Sequence, residues 1–330
     1  MITLTKTFLA LMIGFILATT FGVILIPLLR KLKAKQSLSI YLEERHHSKS
    51  GTPTMGGLIF IIPTIITMCI LKIMGKINIS YNFLIVIFTF IGYFLIGFID
   101  DLLIIKRHNN AGLSESAKLI LQTIIAVIFF FLFMKAGNEP LLWIHTLNIK
   151  IDIKWWYGLF ILLVLIASSN AVNITDGLDG LAGGLSTIAF LAFGIISFGS
   201  YWIKGSEDIG VFCFILVGSL LGFLVYNTHP AKVFMGDTGS LSLGATMATI
   251  AIITSHELTL IVIAGVFIIE TLSCIIQMVA GRYFNKKVFL MAPLHHHFEK
   301  LGWAETDIVK LFLVIGTVLG LAAVTFGVWL

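Results

Sequence analysis

Long apolar runs alternate with short polar segments along the whole chain. Most runs extend for about 20 residues, the length that an α-helix needs to cross the hydrocarbon core of a bilayer. The pattern predicts ten membrane-spanning helices, which cover residues 7–29, 54–74, 82–99, 116–135, 155–171, 182–202, 209–226, 238–254, 258–280 and 308–329. The alternating ten-residue segments typical of outer-membrane barrels do not occur. The expected fold is therefore a single all-α polytopic membrane domain over residues 1–330.

One short stretch follows a different period. Residues 149–154 read Ile-Lys-Ile-Asp-Ile-Lys, and this alternation of apolar and polar side chains is typical of a β-strand. Trp155 and Trp156 follow at once, and tryptophan is enriched where a membrane meets water. We predict a small β-element in an outer loop.

Composition and charge extend this picture. Hydrophobic residues make up 58% of the 330 residues and charged residues 12%, against roughly 45–50% and about 25% in soluble domains. Fifteen of the 22 Lys and Arg residues lie on one set of helix ends and loops, and seven lie on the other. Because positive residues are retained on the cytoplasmic side, we expect both termini to lie outside a bacterial inner membrane. Nothing in the pattern resembles a nucleic-acid-binding module.

The polar, glycine-rich segments all fall on the expected cytoplasmic side. They are residues 46–57, 100–118, 168–184, 226–240 and 282–307. A transporter would need polar groups at mid-membrane depth and access from both faces, whereas only Glu270 lies deep in a predicted span. The pattern favours an enzyme at the inner membrane surface over a transporter or a non-catalytic scaffold. For Glu270, packing beside a neighbouring Ser or Asn is favoured over proton handling.

Two adjacent carboxylates mark the end of the third predicted span. Asp100 and Asp101 repel each other when they are ionised, and a divalent metal is the commonest relief. A solvated helix end is the simpler interpretation. Lys118 adds positive charge nearby, which suits an anionic substrate but is equally expected in a cytoplasmic loop.

Further aspartates lie among glycines at predicted helix starts. Asp176 and Asp179 belong to SNAVNITDGLDGLAGG, which also contains Asn173, and Asp237 belongs to AKVFMGDTGS. An N-cap is one interpretation of each. Backbone amides at a helix start also attract phosphate, and carboxylates can hold a metal or bond a nucleobase. Because these segments share one face, we predict a magnesium–diphosphate site.

Two other motifs are candidates for substrate contact. Lys49 precedes GTPTMGG, whose paired glycines suggest backbone that approaches a ligand, although Lys49 is also expected as a positive-inside anchor. His295, His296 and His297 are consecutive, so a regular helix cannot turn all three toward one metal, and a zinc triad is disfavoured. We predict a loop whose imidazoles bond phosphate oxygens.

In this order, GTPTMGG, GFIDD, SSNAVNITDGLDGLAGG, AKVFMGDTGSLSLG and MAPLHHHFEKLGW resemble the motifs of the phospho-N-acetylmuramoyl-pentapeptide transferases. That family belongs to the polyprenyl-phosphate N-acetylhexosamine-1-phosphate transferase superfamily, and the resemblance spans residues 46 to about 307. It implies a ten-helix inner-membrane enzyme, often a homodimer, that uses Mg²⁺. Such an enzyme moves phospho-MurNAc-pentapeptide from UDP-MurNAc-pentapeptide to undecaprenyl phosphate, giving lipid I and UMP. A sibling that uses UDP-GlcNAc is the nearest alternative.

The resemblance also implies roles for single residues, motif by motif. Asp100, Asp101 and Asp237 resemble the catalytic and metal-binding aspartates, with Asp237 as the expected direct ligand. The residues expected around the uridine and the phosphates are Lys49, Gly177, Leu178, Asp179, Asn227, Phe234, His295, His296 and His297, with His296 also a catalytic candidate. Lys118, Asn173 and Asp176 complete the substrate-binding candidates.

Two mechanisms remain open at this point. Undecaprenyl phosphate can attack the nucleotide sugar directly, with Asp100 as the base or acceptor-positioning group. Alternatively, an Asp carboxylate can attack first and form a phospho-enzyme. One segment departs from the family, because Ser39 and Leu42-Glu43 stand where members usually carry an Arg and a Gly-Pro pair, between the positions of Gln36 and His46.

Overall fold

The computed structural model describes residues 2–32, 51–107, 112–144 and 149–329. Within these ranges the elements in chain order are α1 (Ile2–Lys31), α2 (Leu58–Ile73), α3 (Tyr81–Arg107), α4 (Glu115–Lys135), β1 (Leu141–Ile144), β2 (Ile149–Asp152), α5 (Trp156–Thr175), α6 (Leu181–Gly199), α7 (Ser206–Asn227), α8 (Asp237–Ile253), α9 (Glu257–Ile263), α10 (Gly265–Phe284), α11 (Leu294–Lys300) and α12 (Glu305–Val324). A π-helical turn, Thr325–Trp329, follows α12.

Helix lengths agree with a chain that crosses a membrane many times. Eight of the described helices are long and apolar enough to span a bilayer. Helices α2 and α8 are shorter apolar helices of 16 and 17 residues. Together these helices correspond to the predicted spans, so the prediction of an all-α, multi-pass membrane protein is confirmed.

Two predicted boundaries were wrong. The span predicted over residues 258–280 is divided at Ala264 into α9 and α10. At this division Gly265 lies against Leu319 of α12, a contact for which an uninterrupted apolar run carries no signal. The third span continues to Arg107 as α3, and the carboxylates near its end pair with Thr238 and Lys118.

The predicted β-element is present as a hairpin. Strands β1 and β2 pair antiparallel, with Leu141 opposite Asp152. All four residues of β2 are exposed, so its alternation does not separate a buried face from an open one. Trp155 and Trp156 follow the hairpin with 75% and 73% of their surface exposed, as expected for side chains at a membrane surface.

Helix α8 lies at the centre of the bundle. Every residue of α8 after Asp237 is buried, and the helix packs against α3 and α5, with further contacts to α6 and α9. Its sequence is rich in Gly, Ala, Ser and Thr, the residues that allow close helix packing in membranes. The Ser242 hydroxyl donates to the Phe90 carbonyl oxygen of α3 at 2.8 Å, which joins the two helices through a polar contact.

Glycines set the distance between α8 and its neighbours. A Cβ on Gly97 of α3 would lie 2.0 Å from the Asp237 carbonyl oxygen, and one on Gly244 would lie 2.2 Å from the Ser168 carbonyl oxygen of α5. Real Cβ atoms do not approach other atoms so closely, so both contacts require glycine. The start of α8 is thereby held directly beside the end of α3.

Replacing Gly97 with alanine should loosen the junction of α3 and α8. Overpacking of this kind costs about 1–3 kcal/mol of stability, so thermal unfolding of detergent-solubilised Gly97→Ala should show a lower midpoint than the wild type. Gly281→Ala is the matched control, because its Cβ would meet no atom within 4 Å. Equal midpoints for the two variants would contradict the proposed packing constraint.

Candidate active site

Three aspartates from two helices meet at one end of the bundle. Oxygen atoms of Asp100 and Asp101, near the end of α3, and of Asp237, the first residue of α8, all lie within 4.8 Å of one another. Three carboxylates at this spacing repel one another unless a cation lies between them. The group has the composition of a site that could hold a metal ion.

Lys118 supplies positive charge to this acidic cluster, which we define as Asp100, Asp101 and Asp237. The Lys118 Nζ atom lies 2.7 Å from Asp237 Oδ2 and 3.0 Å from Asp100 Oδ2. Lys118 is placed in the first turn of α4, which begins where the Ser114 hydroxyl accepts from the Ala117 amide. The structure thus places Lys118 beside the acidic cluster, and its role in substrate binding stays a prediction.

The neighbouring aspartates of α3 have different partners. Asp101 Oδ2 accepts from the Thr238 backbone N–H at 3.0 Å and from its hydroxyl at 2.6 Å, so Asp101 caps the start of α8. Asp100 Oδ1 accepts from the Leu113 N–H at 2.6 Å, and its other oxygen contacts Lys118. Asp101 therefore stabilises the start of α8, whereas Oδ2 of Asp100 contacts the partly exposed ammonium group of Lys118.

Asn173 orients the third aspartate. Its Nδ2 donates to Asp237 Oδ1 at 2.8 Å and to the Ser240 hydroxyl oxygen at 2.9 Å. Because Asn173 lies near the end of α5, the contact brings a third helix to the cluster. The amide therefore holds Oδ1 of the Asp237 carboxylate, whose Oδ2 contacts Lys118, and a role for Asn173 in substrate binding stays a prediction.

The N-cap interpretation of the glycine-flanked aspartates was wrong. Asp176 ends α5, and Gly180, with φ 82°, precedes α6. Gly236 likewise precedes α8, so Asp237 is already inside the helix. Burial and the charges of Asp237 and Asp101 raise the pKa of Asp176 well above its usual value, although the Gly236 amide opposes this shift. The carboxylates are turned toward neighbouring segments rather than toward their own helices.

A second acidic group lies beside the loop between α5 and α6. Asp179 Oδ2 is 3.1 Å from His229 Nδ1 and accepts from the Ala231 N–H at 3.1 Å, while the Asp179 N–H donates to Glu305 Oε1 at 2.7 Å. Ligand atoms of Asp179, His229 and Glu305 lie close enough together to hold a metal ion. These bonds fasten the loop to the segment after α7 and to the start of α12.

The other predicted nucleotide contacts lie near this loop. Asn227 is buried, accepts from the Gly180 N–H at 3.1 Å and donates to the Val233 carbonyl oxygen at 3.0 Å. Gly177 is exposed, Phe234 is half-buried and the Leu178 side chain is buried. Asn227 thus links two of the predicted substrate-binding segments, and contact of this region with uridine stays a prediction.

The GTPTMGG segment contacts protein where we expected a ligand. The Gly56 and Gly57 amides donate to the carbonyl oxygens of Phe234 and Met235 at 2.7 and 2.9 Å, and the Phe234 amide donates to Pro53 at 2.8 Å. The paired glycines therefore join this segment to the segment before α8. Lys49, like Ser39 and Leu42-Glu43, lies outside the described residues.

The histidine run is helical, so the prediction of a loop was wrong. Its residues form α11, which begins directly after Pro293, a residue that favours helix starts. His295 Nδ1 lies 3.0 Å from Glu270 Oε2, His296 Nδ1 lies 2.5 Å from Glu299 Oε2, and His297 Nδ1 accepts from the Leu290 N–H at 3.1 Å. The three rings therefore have three separate partners. Glu270 pairs with a histidine rather than with the expected Ser or Asn.

Comparisons with known proteins bear on these motifs. The model of glycosyl transferase family 4 matches residues 83–255, and phospho-N-acetylmuramoyl-pentapeptide-transferase signature 1 matches residues 49–61. Proteins named phospho-N-acetylmuramoyl-pentapeptide-transferase from Geobacillus thermodenitrificans (strain NG80-2) and Bacillus subtilis (strain 168) are 43% and 42% identical to the chain over 322 and 320 residues. These alignments cover 97% of this chain and 98% and 97% of the relatives. The chain belongs to the phospho-N-acetylmuramoyl-pentapeptide-transferase family.

The family match includes the acidic cluster. Residues 83–255 contain all three of its aspartates together with Lys118 and Asn173. Helix α11 lies beyond that range, but the full-length relatives extend across it. The expected membership, which rested on five ordered motifs, is confirmed.

Sequence reasoning missed two polar residues at the site. His229 and Glu305 pair with Asp179, yet neither was among the candidates. His229 follows Asn227 closely and was an available signal. Glu305 lies in the first turn of α12, where an acidic residue is usually explained by the helix dipole.

Removing the Asp101 carboxylate should destabilise the fold more than removing that of Asp100. Asp101→Ala leaves the buried amide and hydroxyl of Thr238 without their acceptor, and an unsatisfied buried group costs about 1–3 kcal/mol. Asp100→Ala loses its bonds to the Leu113 amide and to the partly exposed Lys118, and both substitutions relieve carboxylate repulsion. Thermal unfolding in EDTA should give the lower midpoint for Asp101→Ala. The opposite order would mean that Asp101 does not cap α8.

Proposed function

We propose that the protein transfers phospho-N-acetylmuramoyl-pentapeptide from UDP-MurNAc-pentapeptide to undecaprenyl phosphate, with lipid I and UMP as products. The observation that carries this proposal is an acidic cluster with its own lysine in a membrane protein, bonded by Asn173, which follows the last α5 residue of an apolar groove. An anionic nucleotide sugar and a lipid-bound phosphate can meet at such a place. The names of the near-full-length relatives support the same reaction.

The apolar groove suits the tail of the lipid acceptor. It encloses about 280 Å³ between α5, α9 and α10, with almost entirely apolar walls. Along α5 it extends from Phe160 to Val172, a length of about 18 Å at the helical rise per residue. Its last residue on α5 is followed by Asn173, which bonds Asp237. A polyprenyl chain in the groove would therefore bring its phosphate close to the acidic cluster.

We assign the site to the cytoplasmic face of a bacterial inner membrane. Fifteen of the 22 Lys and Arg residues lie on the side of the motifs, and positive residues are retained in the cytoplasm. The nucleotide sugar is a cytoplasmic metabolite in this scheme, and the lipid enters from the bilayer. Association into a homodimer stays a prediction.

The acidic cluster fits a magnesium ion. Its residues offer carboxylate oxygens, the ligands that Mg²⁺ prefers together with phosphate oxygens. Because Thr238 engages Asp101, Asp100 and Asp237 are the expected first ligands. When bound, Mg²⁺ would neutralise the diphosphate and stabilise the negative charge that develops on UMP. Lys118 already places a positive charge between the same two carboxylates.

In this mechanism, an oxygen of undecaprenyl phosphate attacks the sugar-bound phosphorus, and the bond to UMP breaks. Asp100 orients the acceptor phosphate or takes its proton, and the Leu113 amide holds this carboxylate in place. Lys118 reduces the repulsion between the two anions. The segments around Asp179 and Phe234 bind the uridine and its phosphates. In this scheme His296, whose Nδ1 pairs with Glu299, contacts the phosphates of the nucleotide.

The direct test is UMP release by the detergent-purified protein with undecaprenyl phosphate and Mg²⁺. UDP-MurNAc-pentapeptide should support turnover, and EDTA should abolish it, because the carboxylates need a cation to accept a diphosphate. UDP-GlcNAc, offered separately, should not react. Turnover with UDP-GlcNAc alone would move the protein to the sibling activity and refute the proposal.

The same assay separates the two chemical routes. Direct attack predicts no UMP release when undecaprenyl phosphate is omitted. A burst of UMP that is stoichiometric with enzyme, in the absence of lipid acceptor, would instead indicate a phospho-enzyme.

Filling the groove should weaken acceptor binding alone. Ala167 lines the groove on α5, so Ala167→Trp should raise the KM for undecaprenyl phosphate by about tenfold, a loss of ~1.4 kcal/mol, without changing the KM for the nucleotide sugar. Val127→Trp, at an exposed position of α4 away from the groove, is the control. Equal KM values for the acceptor in both variants would exclude the groove as its binding site.

A further inference from the structure

A buried carboxylate on α10 has no part in the mechanism above. The side chain of Glu270 is 1% exposed, and its Oε2 lies 3.0 Å from His295 Nδ1 and 3.4 Å from the His295 backbone N. An ionised carboxylate in an apolar helix is costly unless a donor replaces its water. His295 supplies that donor, from a position 25 residues further along the chain.

The pair determines where the imidazole carries its proton. An ionised carboxylate only accepts hydrogen bonds, so Glu270 in that form requires His295 to donate through Nδ1. A neutral imidazole has a single N–H, which leaves Nε2 with a lone pair. A carboxylate at Nδ1 also stabilises the imidazolium form, in which Nε2 carries a second proton. Glu270 thereby prepares Nε2 for contact with an anion.

The Nε2 atom of His295 faces a predicted substrate-binding segment. The His295 side chain is fully buried, and Nε2 has no hydrogen-bond partner among the residues that the structure describes. A Cβ on Gly177 would lie only 2.3 Å from this atom, so Nε2 points at the loop between α5 and α6. A buried polar atom without a partner is costly, and a phosphate oxygen of the substrate at this loop would accept from Nε2 once that atom carries a proton.

Helix α10 holds the histidine segment at a second point. Gln277 lies seven residues after Glu270, two turns along the same helix face. Its Oε1 accepts from the Val288 and Phe289 amides at 3.1 and 2.9 Å, and its Nε2 donates to the Phe289 carbonyl oxygen at 3.0 Å. The approach to α11 is therefore fixed, and Glu270 acts on an imidazole whose backbone is already in place.

We propose that Glu270 is a positioning residue for His295. It keeps a proton on Nδ1 and stabilises the imidazolium whose Nε2–H binds a phosphate oxygen of the nucleotide sugar beside Gly177. Glu270 itself does not touch the substrate. This inference rests on the proposed transferase function and assigns Glu270 a role through one named atom of His295.

Kinetics of single and double variants test whether Glu270 acts through His295. Glu270→Gln should lower kcat/KM for UDP-MurNAc-pentapeptide by about 10- to 100-fold, by analogy with carboxylates that orient metal-bound histidines. His295→Gln should cause a similar or larger loss, and the double variant should be no worse than His295→Gln. Ser273→Ala is the control, since this buried hydroxyl donates to the Glu270 backbone oxygen rather than to the carboxylate, and its loss should leave kcat/KM unchanged.

Nitrogen-15 NMR of histidine-labelled protein measures the protonation of the His295 ring nitrogens independently of turnover. The signals of His295 are assigned as those that are present in the wild-type spectrum and absent from the spectrum of His295→Gln. In the wild type they should show a protonated Nδ1, and saturating UDP-MurNAc-pentapeptide should shift both nitrogens to imidazolium values. Glu270→Gln should abolish that shift, whereas Ser273→Ala should retain it.

The outcomes separate this inference from the proposed function. Additive losses in the double variant, or the same His295 signals in Glu270→Gln as in the wild type, would overturn the positioning role while turnover stands. Absence of turnover with any nucleotide sugar would refute the proposed function. In that case, dependence of the Nδ1 proton on Glu270 would still show that Glu270 and His295 interact. A His295 Nε2 signal that the nucleotide sugar does not shift would refute a role of His295 in substrate binding.

Discussion

The close contact of α3 and α8 is the constraint on which the candidate site depends. Because Gly97 has no side chain, the start of α8 lies against α3, and the Asp101 carboxylate reaches Thr238. The same contact brings Asp237 to Asp100 and to the ammonium group of Lys118. Close packing of the α3 and α8 backbones therefore determines the positions of these charged groups, and the ability of the cluster to bind a cation depends on those positions.

Neighbouring residues in this site do different work. The bonds of Asp101 stabilise a helix start, while Asp100 and Asp237 share a lysine whose side chain is partly exposed. Asn173 holds Asp237 from a third helix. A pair that looks uniform in the sequence is thus divided into one structural carboxylate and one that a cation or substrate can engage.

The predictable part of this protein is the part that the bilayer imposes. Every crossing helix needs a similar apolar length, and successive crossings alternate in direction, so the spans and the gathering of Asp100, Asn173 and Asp237 at one end followed from the sequence. Partnerships between distant side chains did not follow. Glu270 and His295 are 25 residues apart, and no periodic pattern relates them.

Errors at the helix boundaries have a related cause. Pro293 was a usable signal that the histidine run begins a helix, but the division at Ala264 lies within uninterrupted apolar sequence. The paired glycines of GTPTMGG suggested access for a ligand, because a sequence shows that backbone is accessible without showing what approaches it. Here another backbone segment does.

The burial of α8 reverses the usual relation between hydropathy and the protein interior. The helix with so many Ser, Thr and Gly residues is enclosed on every side, while strongly apolar helices such as α4 expose much of their surface. A side chain that faces lipid can be almost any aliphatic residue, whereas each side chain of α8 must fit the volume left by the neighbouring helices. Substitution should therefore be freer along exposed apolar helices such as α4 than along the small, polar centre.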